Sequence, residues 1–536
     1  MKHTTVVIIG GGATGIGILR DLSMRGVKAV LLEQGGIAAG ASSRFHGLLH
    51  SGGRYAVKDN EAARECIEEN TILRRIGREC VEESEGFFVL TREDDPSYEK
   101  IWVDSCEKAG ISAAPLDVKD ALRLEPNLDP DIRAVYRVPD SSVDGFRLVW
   151  HNAMSARRYG GEMLTHHQVI AIDQEGGRVK AVRARNLITG EEVCIACEMV
   201  VNAAGSWAAQ IVRLVGLDVG VQPDRGTLIA FNHRFTSRII NRLHMSSDGD
   251  IFVPHGSITI LGTTSFKADR PDDHHVPPED VLRLLDIGEV LFPQLRSYRI
   301  LRAFAGTRPL YISNGSAAGR AASRGFHISD HSEEGLEGML SIFGGKFTTY
   351  RLMAEKLCDL LCSKLGVTAK CRTALEPLIA DPSPEVLEKA RKVFPVHGAE
   401  LAANRLGDAF PTVVERAEAM KENTLLCECE MVSRAEIEFV ANDPASTSLT
   451  DVRLRTRLGM GTCQGTFCSL RTIGTLTECG VSFPISPAEN LRGFLQERWK
   501  GLRPALWGIQ AREMELGRAV YAATLNLDGA KHEQEK

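Results

Sequence analysis

Nowhere does this sequence run through eighteen or more apolar residues, so it holds no stretch able to cross a bilayer as a helix. A basic excess is missing too. Sixty-four Lys and Arg stand against 70 Asp and Glu, a formal net charge of -6, and a nucleic-acid backbone would find no broad cationic face, so nucleic acid is not expected as a partner. The opening "MKHTTVVIIGGG" lacks the long apolar core and small-residue cleavage site of a secretory leader. It predicts a cytoplasmic protein, peripheral at the inner face of the membrane only through partner subunits or a surface helix. Repeats and fibrous periodicity are absent, and 536 residues are too many for one simple core, which points to two to four domains. The 13 cysteines of a cytosolic chain read as free, metal-bound or redox-active thiols rather than disulfides.

What is present begins with "TTVVIIGGGATGIGILRDLSMRGVKAVLLEQ": strand, glycine turn, helix, second strand, closing acidic residue. Gly10 allows the sharp turn, Gly12 lets the backbone approach a pyrophosphate, and Gly15 permits close packing of helix on strand. Ala13 and Thr14 open a helix whose N-terminus offers unpaired N–H groups and positive dipole charge to phosphate. Glu33 is placed to accept hydrogen bonds from a ribose diol. A lone GxGxxG is weak, but here every flanking element sits where a dinucleotide fingerprint requires it.

FAD and NAD share that fingerprint, and later segments choose between them. Ser42 and Ser43 in "GIAAGASSRFHGLLHSGGRYAV" suit a cradle for a diphosphate. Ala204 and Gly205 in "MVVNAAGSWA" end a strand in a small-residue turn, and "LSIFGGKFTTYRLMAE" sets Gly345, Lys346 and Thr348 between a strand and a helix. Distant segments enclosing one cofactor favour FAD. The combination of "GGGATG", "SSRFHGLLHSGGRY", "NAAGSW", "AGTRPL" and "GGKFTTYR" resembles the FAD-dependent glycerol-3-phosphate dehydrogenases, within the wider group that includes the D-amino-acid oxidases, over roughly residues 5 to 370. The C-terminal part is similar to bacterioferritin-associated-ferredoxin [2Fe-2S] domains, and the two joined resemble the catalytic subunits of the anaerobic glycerol-3-phosphate dehydrogenase family. The resemblance implies oxidation of glycerol 3-phosphate to dihydroxyacetone phosphate, with electrons leaving through a [2Fe-2S] cluster to the partner subunits of a membrane-associated complex and indirectly to a quinone. Two other functions are weighed. An amine or amino-acid dehydrogenase would need no phosphate site, and an electron-transfer scaffold would not be reduced by substrate.

Oxidising a phosphorylated secondary alcohol with a flavin needs a base for the hydroxyl proton and cations for the phosphate and the reduced flavin. His50 and Arg54 in "HSGGRY", Arg308 in "AGTRPL", Arg324 in "ASRGF" and Lys346 offer them, and the resemblance assigns the same positions to the substrate pocket. His50, with His46 as its competitor, is the candidate base, and Lys346 stands beside flavin or substrate. Arg308, in an apolar context, calls for an anionic ligand or a structural carboxylate.

Near the other end, Cys427 and Cys429 precede Cys463 and Cys468. Four thiolates suit a [2Fe-2S] cluster or tetrahedral zinc; the Cys-x-Cys spacing favours the cluster, with glycines 459, 461 and 465 turning backbone N–H groups toward sulfur. The remaining cysteines, including Cys194, Cys197, Cys358 and Cys362, read as core thiols. The fold class expected is α/β: a Rossmann-like FAD-binding domain of the D-amino-acid-oxidase and glutathione-reductase type, an antiparallel-sheet substrate domain, and a small helical iron–sulfur domain. The boundaries run 1–370 for the oxidoreductase (FAD-binding parts about 1–80, 145–215 and 325–370; substrate-binding parts about 81–144 and 216–324), 371–424 for a helical linker, 425–480 for the cluster domain and 481–536 for a helical tail.

Overall fold

The structure is a computed structural model that describes residues 2–312 and 325–526. The fully buried strand Val6–Ile9 is central in a six-stranded sheet, flanked in parallel by Ala29–Leu32 and Met199–Asn202. Met339–Gly344 extends the sheet in parallel, and Phe326–Asp330 closes its edge in the antiparallel sense. Strands this apolar need cover on both faces. Helices Ala13–Met24, Gly145–Arg158 and Tyr350–Leu365 cover one face. A small sheet built on His167–Glu175, Arg178–Asn186 and Glu192–Ala196 covers the other. Cys358 and Cys362 lie buried on the third helix, as expected of core thiols.

A second, nine-stranded sheet draws on both segments expected to bind substrate. Gly86–Leu90, Ala114–Leu116 and Ala134–Val138 join Val221–Phe231, Ile239–Arg242, Ile251–His255 and Ile258–Gly262. Its longest pairing sets Val221–Phe231 antiparallel to Ile300–Tyr311. Helix Pro278–Gly288 packs its apolar stripe on this sheet.

The C-terminal part differs from the expected division. Residues 371–424, read as a helical linker, form helices Pro384–Val393, Gly398–Leu406 and Phe410–Ala419. Phe394, Phe410 and Val413 of this stretch share one apolar cluster with Cys427, Ile437, Val452 and Cys468. Proline marks helix starts here rather than a domain boundary: Pro384 follows the N-cap Ser383, and Pro411 stands in the first turn of its helix. Nor is this unit loosely tethered. Arg457 pairs with both Asp144 and Glu430, Arg157 pairs with Asp443, and Arg455 lies over the Trp150 ring at 4.0 Å. Asp144 also caps helix Gly145–Arg158 by accepting the Arg147 N–H, so one carboxylate both starts a helix of the first unit and holds the second. In the tail, Pro487–Leu502 buries Leu491, Phe494 and Leu495, whereas Gly508–Thr524 buries nothing.

Candidate active site

Steric fit explains the glycine turn. Gly10 has φ 111°, and a Cβ there would lie 2.6 Å from the Ala203 carbonyl oxygen; one on Gly15 would lie 1.9 Å from the Gly10 carbonyl oxygen. Neither position accepts a side chain. The helix can therefore start directly above the strand, and its first turn donates from Ala13 N–H to Ser42 Oγ at 2.9 Å. Glu33 accepts from the N–H groups of Gly11 at 2.6 Å and Gly35 at 2.7 Å. Burial pushes its carboxyl up, and those two N–H groups pull against that.

A cavity of about 1150 Å³ opens over this turn, lined by Gly10, Gly12, Ala13, Thr14, Glu33, Ser42, Ala204, Gly205 and Gly345. The same cavity is lined by His46, His50, Arg54, Tyr55, Arg308 and Lys346. The structure thus gathers the catalytic candidates and most of the cofactor candidates around one space. Three candidates stand off its wall. Gly15 packs against Gly10, Ser43 donates to the Gly40 carbonyl at 3.1 Å and faces a neighbouring cavity, and Thr348 accepts the His50 backbone N–H at 3.1 Å. Arg324 lies outside the described residues.

The two described arginines rest on carboxylates. Arg308 faces Asp224 across the strand pair, with Nη2 to Oδ1 at 2.6 Å, and also donates to the Thr264 carbonyl at 2.6 Å and to Thr263 Oγ1 at 3.1 Å. Arg54 pairs with Asp250 and donates to the Ser247 carbonyl at 2.7 Å. Burial works against the Asp250 charge, but Arg54 and His244 hold its carboxyl down to about 2. Each guanidinium is thereby fixed in direction. Lys346 Nζ lies 5.0 Å from the Tyr55 ring centroid, and the His50 ring stands 5.2 Å from the same ring and 5.7 Å from His46. His46 Nδ1 accepts the Leu48 N–H at 3.1 Å, which leaves the proton on Nε2 and makes His46 a donor. Desolvation, then the Arg54 and Arg308 charges, lowers it to about 3.

Sequence reading missed Tyr55, Asp224 and Asp250. Tyr55 sits beside Arg54 in a segment already singled out, but no local pattern marked the two aspartates, which meet their arginines only through sheet pairing and a loop crossing.

At the far end the four thiols come together. Cys468 shares hydrogen bonds with Cys427 and with Cys463, and Cys463 with Cys429. Led by the Cys468 contact and opposed by burial, Cys427 is lowered to about 7 and Cys463 to about 5; Gly459 N–H serves the first and Gly465 N–H the second. Both glycines have positive φ, and a Cβ on Gly461 would lie 2.3 Å from Cys429 Cβ. Among the described residues the four sulfurs offer no set of three within 4.8 Å of one another; the compact trio of that kind is Glu79, Cys80 and His151. The contacts run in a chain from Cys427 through Cys468 and Cys463 to Cys429.

Comparison with known proteins agrees with this geometry. The profile of the FAD-dependent oxidoreductase family (DAO) matches residues 5–351. An anaerobic glycerol-3-phosphate dehydrogenase subunit from Escherichia coli K12 is 44% identical over 533 residues, 98% of each chain. A second such subunit, from Haloferax volcanii, is 41% identical over 545 residues, covering 98% of this chain and 91% of that one. Among solved structures, a Bacillus halodurans glycerol-3-phosphate dehydrogenase complexed with FAD superposes with a TM-score of 0.69 at 21% identity, covering 95% of this chain and 97% of the other, and so shares the fold.

Proposed function

The chain belongs to the FAD-dependent oxidoreductase family, and from that premise we propose that it is a FAD-dependent dehydrogenase that oxidises sn-glycerol 3-phosphate to dihydroxyacetone phosphate and sends the electrons through its cysteine end to partner subunits and a quinone. The observation that carries this reading is the convergence of Arg54, Arg308 and Lys346 on the same cavity as the glycine turn. Two braced guanidiniums and an ammonium suit the several oxygens of a phosphate beside the cofactor, whereas an amino acid offers them one carboxylate and an ammonium of its own.

FAD fits the residues present: backbone N–H groups and Ser42 stand at the helix start, Glu33 keeps oxygen lone pairs for a ribose, and no side chain fills the glycine cradle. When bound, FAD supplies the hydride acceptor. The protein's own part is to bind, aim and deprotonate. Arg54 and Arg308, braced by Asp250 and Asp224, hold the phosphate. His46, with its proton on Nε2, donates a hydrogen bond. That leaves His50, buried against Tyr55, to take the hydroxyl proton. Lys346 adds positive charge where the site becomes more negative on reduction.

Cys427, Cys429, Cys463 and Cys468 would hold a [2Fe-2S] cluster, which supplies one-electron steps. The Cys-x-Cys spacing of Cys427 and Cys429 and the backbone N–H groups aimed at sulfur favour two irons over a single tetrahedral zinc. The relatives' designation as subunits supports partner chains. Among the described residues no helix is long and apolar enough to cross a membrane, so membrane association would run through those partners.

The test is an ultraviolet–visible spectrum of anaerobically purified protein before and after substrate. Glycerol 3-phosphate should bleach the flavin bands, and glycerol and amino acids should not. Bleaching by an amino acid but not by glycerol 3-phosphate would reject the assignment.

A further inference from the structure

A second cavity, of about 1040 Å³, lies between the nine-stranded sheet and the C-terminal helices. It borders the first cavity, since Arg44, Phe45 and His274 line both, and it reaches Gln464 in the loop that carries Cys463 and Cys468. Its wall is strongly cationic. Eight Arg and Lys side chains line it against two carboxylates, Asp144 and Glu497. Asp144 is already engaged by Arg457 and Arg147, and Glu497 sits half-exposed beside Lys500.

Three of these cations are half-buried without a carboxylate. The side chain of Arg453, on helix Leu449–Thr456, forms no hydrogen bond or ion pair among the described residues, and its guanidinium lies 5.7 Å from the Phe494 ring centroid. Arg302, on strand Ile300–Tyr311, reaches one neutral partner, Gln464 Oε1 at 3.4 Å, and its Nε atom is buried with no acceptor. Its guanidinium lies against Gly501, where a Cβ would come within 2.8 Å of it. Arg44 meets only the carbonyls of Ala39 and Gly40. These guanidiniums also disturb one another: desolvation and then Arg302 lower Arg453 to about 9, and desolvation lowers Arg302, with Glu497 opposing the shift and Arg44 adding to it. A desolvated guanidinium is tolerated when an anion compensates it, and here Glu497 is the one carboxylate whose charge reaches all three, without an ion pair to any of them. Arg44, Arg302 and Arg453 come from a loop, a strand and a helix, so they approach from three directions. A phosphate, with several oxygens, can meet three such forks, whereas a carboxylate offers two oxygens in one plane.

We propose that this inter-domain cavity is a second anion site, separate from the substrate site, that binds a phosphate group, either free phosphate or a small phosphomonoester, on Arg44, Arg302 and Arg453. The site holds the sheet and the C-terminal unit together by the charge it neutralises.

The inference stands independently of the substrate assignment, and equilibrium binding of inorganic phosphate to the full chain tests it. The Arg308→Ala variant removes the first cavity's contribution. One phosphate should still bind it, thermal stability should rise with phosphate, and adding Arg453→Gln or Arg302→Gln should weaken that binding by roughly tenfold or more. Titrating the same background with glycerol 3-phosphate separates the two sources: a tighter phosphoester means the cavity accepts the organic group, and a weaker one means free phosphate. In phosphate-free buffer Arg453→Gln alone should melt higher than the parent, because an uncompensated charge has gone, and this reading needs no ligand. Loss of all phosphate binding in Arg308→Ala, or a lower melting point for Arg453→Gln in phosphate-free buffer with its fold intact by circular dichroism, would overturn the proposal.

Discussion

The two cavities differ in how they treat arginine. In the first, Arg54 and Arg308 each lean on a buried aspartate; in the second, Arg302 and Arg453 have none. A paired guanidinium is held in one direction and its charge is partly neutralised, so it can orient a substrate and still release the product. An unpaired one binds whatever anion reaches it and costs stability when none does. The contrast separates cations arranged for turnover from cations that await a resident charge.

The largest effect should come from the thiols beyond the second cavity. Cys429 is exposed, so Cys429→Ser should leave the core folded while abolishing quinone-linked turnover through reconstituted partner subunits. Flavin reduction by glycerol 3-phosphate and turnover of a small dye should persist. Equal loss of dye and quinone activity with FAD retained would show that the cysteine unit helps to build the active site.

Next, Arg308→Ala should lower kcat/KM by roughly 30- to 1000-fold, about 2–4 kcal/mol for one charge-assisted bidentate contact, with FAD still bound. Steady-state kinetics beside a flavin assay would check it, and an unchanged kcat/KM would remove Arg308 from the pocket.

Asp224→Asn sharpens the comparison most directly, because it makes the first cavity resemble the second. The guanidinium stays but its brace weakens, so kcat/KM should fall by about 5- to 30-fold, or about 1–2 kcal/mol. If activity were unchanged, the carboxylate would not orient Arg308.

On stability rather than turnover, the two cavities share one effect. His46 in the first and His255 in the second are lowered to about 3 and about 4, chiefly by desolvation and then by nearby arginines. Each stays neutral when folded and takes a proton near pH 6.5 when unfolded. Stability is therefore fully present above about pH 6.5 and falls as pH drops toward 4, by about 1.4 kcal/mol per pH unit for each. Asp250, lowered to about 2, adds loss of the same sign below about pH 4. Denaturant midpoints from pH 7.5 to 4.5 should show the decline; half the slope would mean that one of these histidines is charged when folded, and a flat profile that both are.

The elements that could be read without coordinates were those whose physics is local. A glycine turn needs φ 111° at Gly10 and bare space at Gly15, and those demands sit within six residues, so the spacing declares them. Cys427 and Cys429 declare themselves the same way, and the resemblance over roughly residues 5 to 370 carried the order of the cofactor segments. The prolines of the helical linker expected over 371–424 start helices as readily as they end domains, and it is the apolar cluster shared by Phe394, Phe410 and Cys468 that shows where those helices pack.

By itself, then, the sequence determined that a dinucleotide turn, an arginine-bearing substrate sheet and a four-thiol end are joined in one chain, because each depends on residue types at short separation. Tertiary structure alone decided which carboxylates brace Arg54 and Arg308, that His46 carries its proton on Nε2, and that a cationic cavity lies between the flavin side and the thiols. Those facts depend on pairs such as Asp224 with Arg308, 84 residues apart, and Arg302 with Gln464, 162 apart. Such partners meet only when strand register and domain docking are set, and no local pattern carries that information.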